Sequence, residues 1–176
     1  MNKKIFLIFA LSIIFILIFL RILTSLLYPN KYSEYVEKYS DEYNVDSNLV
    51  YAIIKQESNF KPSVNSSKGA VGLMQLMENT ALDVAKNLEC NDIDLRNPEI
   101  NIRLGIKHFS ELLNKYKNNE KMAIIAYNAG MGNVDNWISK GIIDEDGTNL
   151  ENVPYRETNM YLRKVLKNYE IYCKLY

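Results

Sequence analysis

Residues 5 to 27, IFLIFALSIIFILIFLRILTSLL, are apolar except for Ser12, Arg21, Thr24 and Ser25. About 20 such residues in a helix cross the hydrocarbon core of a bilayer, and a soluble core has no use for an unbroken run of that kind. Lys3 and Lys4 precede the run, which suits a cytoplasmic N-terminus and an exported C-terminal body, although Arg21 and Lys31 behind it weaken the bias. An uncleaved signal anchor is expected, because the stretch is long and no small-x-small site such as A-x-A follows; a cleavable signal peptide is the competing reading. Arg21 would then snorkel to the outer interface.

Residues 1–29 are therefore read as a membrane anchor, and 30–176 as a separate domain of ordinary size. The first 29 residues hold three bases (Lys3, Lys4, Arg21) and no acid; of the chain's 21 bases that leaves 18 to set against 21 acids. So balanced a body offers no basic face for phosphates, which argues against nucleic acid as a partner. Cys90 and Cys173 lie far apart without motif spacing, so a disulfide between them and two unlinked thiols both stay open. There is no metal-ligand spacing, and His108, on a helical segment, reads as packing or surface.

Behind the helix break at Tyr28-Pro29-Asn30, helical periodicity recurs through the whole body. Tyr32, Tyr35, Val36, Tyr39 and Tyr43 form one stripe, and Asp46 caps the next helix. Thr80 and Asp83 have capping-box spacing before Ala81, Val84, Ala85 and Leu88. Asn97-Pro98 opens a long helix with Ile102, Gly105, Ile106, Phe109, Leu112, Leu113 and Tyr116 on one face, and Gly105 there predicts a close helix crossing. A short buried helix stops at Gly130 and Gly132, and another runs through Trp137, which reads as packing. Gly141 to Val153 reads as a polar loop. The last helix turns Tyr161, Leu162, Val165, Leu166, Tyr169, Tyr172 and Cys173 inward. No sustained alternation of period two occurs, so the body is expected to be all-α, about seven helices.

One residue stands out against this pattern. In YAIIKQESNF, residues 51 to 60, Leu49, Ile53, Glu57, Val50 and Ile54 fall at roughly 0°, 40°, 80°, 100° and 140° around a helix axis. Glu57 thus lies inside the apolar arc. Lys55, at about 240°, points away from it. A carboxylate in an apolar surround has its charged form disfavoured and holds a proton towards neutral pH, as a general acid requires. The alternative is a buried carboxylate satisfied by a cap or a tyrosine hydroxyl. Glycosidic cleavage uses such an acid, and usually a second carboxylate unless the substrate supplies its own nucleophile. Glu78, Asp83, Asp92, Asp94 and Glu157 are available, but none lies on a comparable stripe, and Asp92 and Asp94 read as polar-loop residues.

QES at 56 to 58, GLMQLM at 72 to 77, NPEINIRLG at 97 to 105, AYNAG at 126 to 130 and YRETNMY at 155 to 161 stand in the order and spacing of the soluble lytic transglycosylases. Over residues 33 to 175 the chain resembles that lysozyme-like family. The resemblance implies an all-α, lysozyme-like fold for the body and cleavage of peptidoglycan glycan strands; with the transmembrane helix read above, the expected place of work is the wall side of the cytoplasmic membrane.

On that resemblance Glu57 is the single catalytic glutamate. It would protonate the oxygen between N-acetylmuramic acid and N-acetylglucosamine, then take the proton of the muramoyl 6-hydroxyl as a 1,6-anhydro ring closes. Substrate-binding roles fall on Ser66, Gln75, Met77, Tyr127, Asn128, Glu157 and Tyr161. Met74 would be an apolar neighbour against the sugar faces, and the Tyr127 hydroxyl would lie close enough to hydrogen-bond Glu57. Gly69 and Gly72 match glycines that let a loop approach substrate, though turn formation explains them equally. Glu157 reads as capping or positioning rather than as a second catalytic acid. Two departures stand out: Ser67 and Glu78 occupy positions where the family commonly has proline, and Glu78 is expected to alter the start of its helix. No metal or organic cofactor is implied. A lysozyme-type hydrolase and a non-catalytic glycan-binding scaffold are the rival readings.

Overall fold

The structure, a computed structural model, describes residues 3–88, 90 and 93–176. It divides into two compact units, one ending at Lys31 and the other Tyr32–Tyr176. The first is a single helix, α1, Lys3–Leu27. Within it Leu7–Leu27 is long and apolar enough to cross a membrane, with a mean hydropathy of 2.8. Its hydroxyls are satisfied internally: Ser12 donates to the Ile8 carbonyl, and Thr24 and Ser25 both donate to that of Arg21. A helix in lipid needs this, since no water is present to take up a stray polar group.

The second unit contains, among the described residues, seven α-helices, one 3₁₀ turn and no strand. The helices are α2 (Ser33–Tyr43), α3 (Ser47–Glu57), α4 (Glu78–Asn87), α5 (Pro98–Lys115), α6 (Glu120–Ala129), α7 (Met131–Ser139) and α8 (Arg156–Leu175). The all-α expectation holds. Asp46 caps α3 by accepting from the Asn48 and Leu49 amides, and Asn97 caps α5 through the Glu99 and Ile100 amides. The start of α4 differs from expectation. It begins at Glu78, two residues before the proposed Thr80 cap, with Met77 as its N-cap and no side-chain capping bond. Glutamate in the first turn favours that start through the helix dipole.

Helix α3 is the axis of the core. Leu49, Val50, Tyr51, Ala52, Ile53 and Ile54 are all buried, six consecutive residues and so every side of the helix. The apolar arc read from the sequence was too narrow: α2 and α8 pack against this helix, and Tyr51 stacks on Tyr172 of α8 at 5.4 Å between ring centres. Burial on all sides ends at the last turn, where Glu57 closes the helix.

Four further expectations are corrected. Gly105 of α5 marks the approach of a side chain, not a helix crossing. A Cβ built there would lie 2.3 Å from Sδ and 2.9 Å from Cβ of Met74. Gly132 lies inside α7, so Gly130 alone separates α6 from α7. Cys173 is exposed on α8, and no disulfide joins it to Cys90. The segment 141–153 is not merely polar, because Ile143, Leu150 and Val153 are buried and a 3₁₀ turn forms at Leu150–Asn152.

Between α3 and α4 runs a long connection that its own backbone holds in shape. Val71 and Leu76 exchange amide-to-carbonyl bonds of 2.9 and 3.1 Å, and the Gly72 amide donates to the Val64 carbonyl. Asn101 of α5, 1% exposed, fixes it to the core: its Nδ2 donates to the Val71 and Leu95 carbonyls, and its Oδ1 accepts from the Met74 amide at 2.7 Å. Gly72 is required by that grip. It has φ +86, and a Cβ would stand 2.2 Å from Asn101 Nδ2.

Candidate active site

The elements around the end of α3 form a cleft. One hollow, of about 500 Å³, is lined by Glu57, Asn128, Arg156, Met160, Tyr161 and Lys164 among others. A second, of about 460 Å³, is lined by Lys68, Met77, His108, Tyr127, Met131 and Tyr155 among others. Asn128 and Glu157 line both, so the two are parts of one groove. Its walls come from the α3–α4 connection, the end of α6 and the first turns of α8.

Glu57 is half-buried, and the Tyr161 hydroxyl donates to its Oε1 at 2.6 Å. Burial pushes its pKa up from 4.5 to about 7. The Tyr161 hydrogen bond, which favours the charged form, holds it partly down, and the charge of Glu157 adds to the rise. Tyr161 and Tyr127 are themselves pushed well above the usual tyrosine range by burial and by Glu57, so both hydroxyls stay protonated donors. The carboxyl at the base of the groove therefore loses its proton near neutral pH, and one of its oxygens is already oriented.

The hydrogen bond expected from Tyr127 to Glu57 is absent. Tyr127 donates instead to the Met74 carbonyl at 2.8 Å, which ties α6 to the α3–α4 connection. Tyr161, not Tyr127, orients the acid. Met74 is fully buried and packs on Gly105, away from any sugar face, whereas Met77 is 44% exposed and lines the groove. Gln75 sits at φ +50 and its Nε2 donates to the Val64 and Gly72 carbonyls, so this amide braces the connection. Ser66 likewise works within its loop, its Oγ accepting from the Lys68 and Ala70 amides.

Asn128 is held by Thr158, whose hydroxyl donates to its Oδ1 at 2.8 Å. Glu157 lies in the first turn of α8, where Tyr155 is the N-cap and makes no side-chain bond, so Glu157 is not the cap. Its carboxylate pairs instead with Lys68 at 3.5 Å, both side chains largely exposed, and this pair bridges the connection to α8 over the groove. Trp137 packs as expected, 3% exposed and edge-on to Tyr155. His108 lies beside Tyr127, its pKa lowered by burial. Of the other acids, Glu78 is on α4 with Asp83, Asp94 lies before α5, and Asp92 lies outside the described residues. Lys68, Thr158, Arg156, Met160 and Lys164 were not singled out from the sequence. The spacing of the last three, i, i+4 and i+8 on one helix, was the available signal.

A family model described as the transglycosylase SLT domain matches residues 34–146. The chain belongs to the SLT transglycosylase family. Among its relatives, the soluble lytic murein transglycosylase of Salmonella typhimurium is 34% identical over 145 residues, which is 79% of this chain and 22% of that protein. The membrane-bound lytic murein transglycosylase C of Edwardsiella ictaluri is 32% identical over 169 residues, 80% of this chain and 46% of the relative. Two solved structures agree with this SLT fold. The lytic transglycosylase Slt of Pseudomonas aeruginosa, an inactive glutamate-to-glutamine mutant, superposes with a TM-score of 0.75 at 30% identity over 84% of this chain and 24% of its own. A complex of the 70-kDa soluble lytic transglycosylase with bulgecin A gives 0.76 at 32% identity over 84% of this chain and 25% of its own. The chain spans about a quarter of the length of the soluble relatives it matches.

Proposed function

We propose that this SLT chain is a peptidoglycan lytic transglycosylase, anchored once in the cytoplasmic membrane through α1, with its groove on the wall side. The observation that carries the reading is the environment of Glu57. A carboxyl with a pKa of about 7, oriented by Tyr161, sits in an open groove made of two adjoining hollows. The membrane-bound relatives and the apolar helix α1 support the anchoring.

In the proposed reaction the Glu57 proton passes to the glycosidic oxygen and the C1–O bond of N-acetylmuramic acid breaks. The N-acetylglucosamine side leaves as an alcohol, and the 2-acetamido oxygen supports the positive charge at C1. Glu57, now a carboxylate, then takes the proton of the muramoyl 6-hydroxyl as that oxygen bonds to C1. The 1,6-anhydro ring closes, Glu57 is protonated again, and no water is consumed. A carboxyl that must act first as acid and then as base works best with a pKa near the working pH. Substrate supplies the nucleophile, so no second carboxylate has to face the anomeric carbon. Asn128, Met77 and Glu157 line the groove as substrate-binding groups, Tyr161 orients the acid, and Ser66, Gln75 and Tyr127 act by holding the wall they belong to.

Purified peptidoglycan digested by the full chain in detergent should yield anhydromuramic ends by mass spectrometry, and Glu57→Gln should lower the rate by roughly 10²- to 10⁴-fold. Reducing muramic ends would make the chain a hydrolase of the lysozyme type. Equal lysis by wild type and Glu57→Gln would remove Glu57 from the mechanism, and no lysis by either would leave a glycan-binding scaffold.

A further inference from the structure

Arg156, Met160 and Lys164 lie four residues apart on α8 and line the same hollow as Glu57. Residues at that spacing share one helix face, within an arc of about 80°. All three are exposed, Met160 at 46%. The stripe is thus cation, apolar, cation, on the face of α8 that lines the hollow together with Glu57.

The charges near Glu57 are unevenly matched. Glu157 is paired with Lys68. Among the described residues, neither Arg156 nor Lys164 has a carboxylate within 4.0 Å. The charge of Glu157 raises the Glu57 pKa further. Two cations therefore face the hollow without a paired carboxylate among the described residues.

We infer that the Arg156–Met160–Lys164 face recognises the carboxylates of a peptide stem carried by the muramic acid next to the cut bond. This inference rests on the peptidoglycan reading above. An uncharged glycan of N-acetylglucosamine gives these cations nothing to bind, whereas a stem peptide brings carboxylates beside a groove that already holds Glu57 and Glu157. From Arg156 to Lys164 the helix rises about 12 Å, at 1.5 Å per residue. An extended peptide covers that distance in three to four residues. Met160, between the cations, offers an adaptable apolar contact for the alanine methyls and methylenes of such a stem.

Binding to the full chain carrying Glu57→Gln, in detergent, separates recognition from cleavage. Three probes are compared: stem-bearing glycan fragments, the same fragments with carboxylates converted to amides, and fragments stripped of stems but keeping the lactyl carboxylate. The stem-bearing probe should bind about tenfold tighter than the other two, the order expected of two partly exposed charge pairs. Adding Arg156→Gln and Lys164→Gln should cut the preference to below about twofold, and in the unaltered chain added salt should erode it. Equal binding of all three probes, or a preference that survives the double substitution, overturns the inference. Stripped fragments binding as tightly as stem-bearing ones would assign the cations to the lactyl carboxylate and overturn the stem. If the wild type lyses walls while the stem preference is missing, only this inference fails; absence of lysis counts against the proposed function itself.

Discussion

Burial sets the protonation of Glu57, and its bond to Tyr161 moderates it. Because burial raises the Glu57 pKa to about 7, the acid form is present below that pH and is lost above it, so kcat/KM should fall on the alkaline side of neutrality. The Tyr161 hydroxyl stabilises the charged form. Tyr161→Phe therefore removes a downward influence, and the alkaline limb should move to higher pH, by up to about one unit. The rate at pH 6 should fall roughly tenfold because the carboxyl loses its orientation. A pH profile of kcat/KM checks this: a lower rate with an unmoved limb would make Tyr161 merely structural. Glu57 was legible in the sequence, but for a reason the structure modifies. The helical wheel selected it as part of a stripe, whereas α3 is buried on all sides and Glu57 is set apart by standing where that burial ends. The Tyr161 bond joins residues 104 apart in sequence, and no local pattern predicts such a contact.

At the level of elements, the α3–α4 connection decides whether the groove has a wall. Met74 anchors it three ways: its amide bonds Asn101, its carbonyl accepts from Tyr127, and its side chain fills the space left by Gly105. Gly105→Ala sets two opposing effects against each other. Alanine in a helix interior gains up to about 1 kcal/mol over glycine, but the new methyl would overlap Met74. The sulfur at 2.3 Å can move aside; the Met74 Cβ at 2.9 Å is tied to the backbone that Asn101 and Tyr127 hold. Overpacking of that kind costs about 1–3 kcal/mol, so the clash should win. Thermal unfolding of the full chain should show a Tm lower by a few degrees, at about 2–4 °C per kcal/mol for a domain of this size; a raised Tm would mean that the methionine yields freely. The helices and the caps at Asp46 and Asn97 were legible because those signals are local. The Thr80 cap failed because a capping box is a weak signal next to an acid that suits the first turn. Gly105 was correctly seen as a close approach, but the sequence could not say that the partner is a methionine from a loop.

For the whole molecule, the apolar helix was legible from composition, since 23 residues almost free of polar side chains have few other uses, and the all-α body from its helical periodicity. How the body manages its substrate was not, because that depends on what meets across the groove. One bridge between the α3–α4 connection and α8 is the Lys68–Glu157 pair, 78% and 74% exposed. An exposed pair contributes at most about 1 kcal/mol and less in salt. If the chain cuts a polymer as proposed, this pair imposes no need for a free end to enter. The polymer can lie down into the groove from the side, parting the two side chains for little more than thermal energy, instead of being threaded through a tunnel. On the proposed function, a cutter loaded in this way would attack wherever along the strand it lands. Early digests should contain saccharides of many lengths, and a ladder built from one small repeating product would show that something else closes the groove.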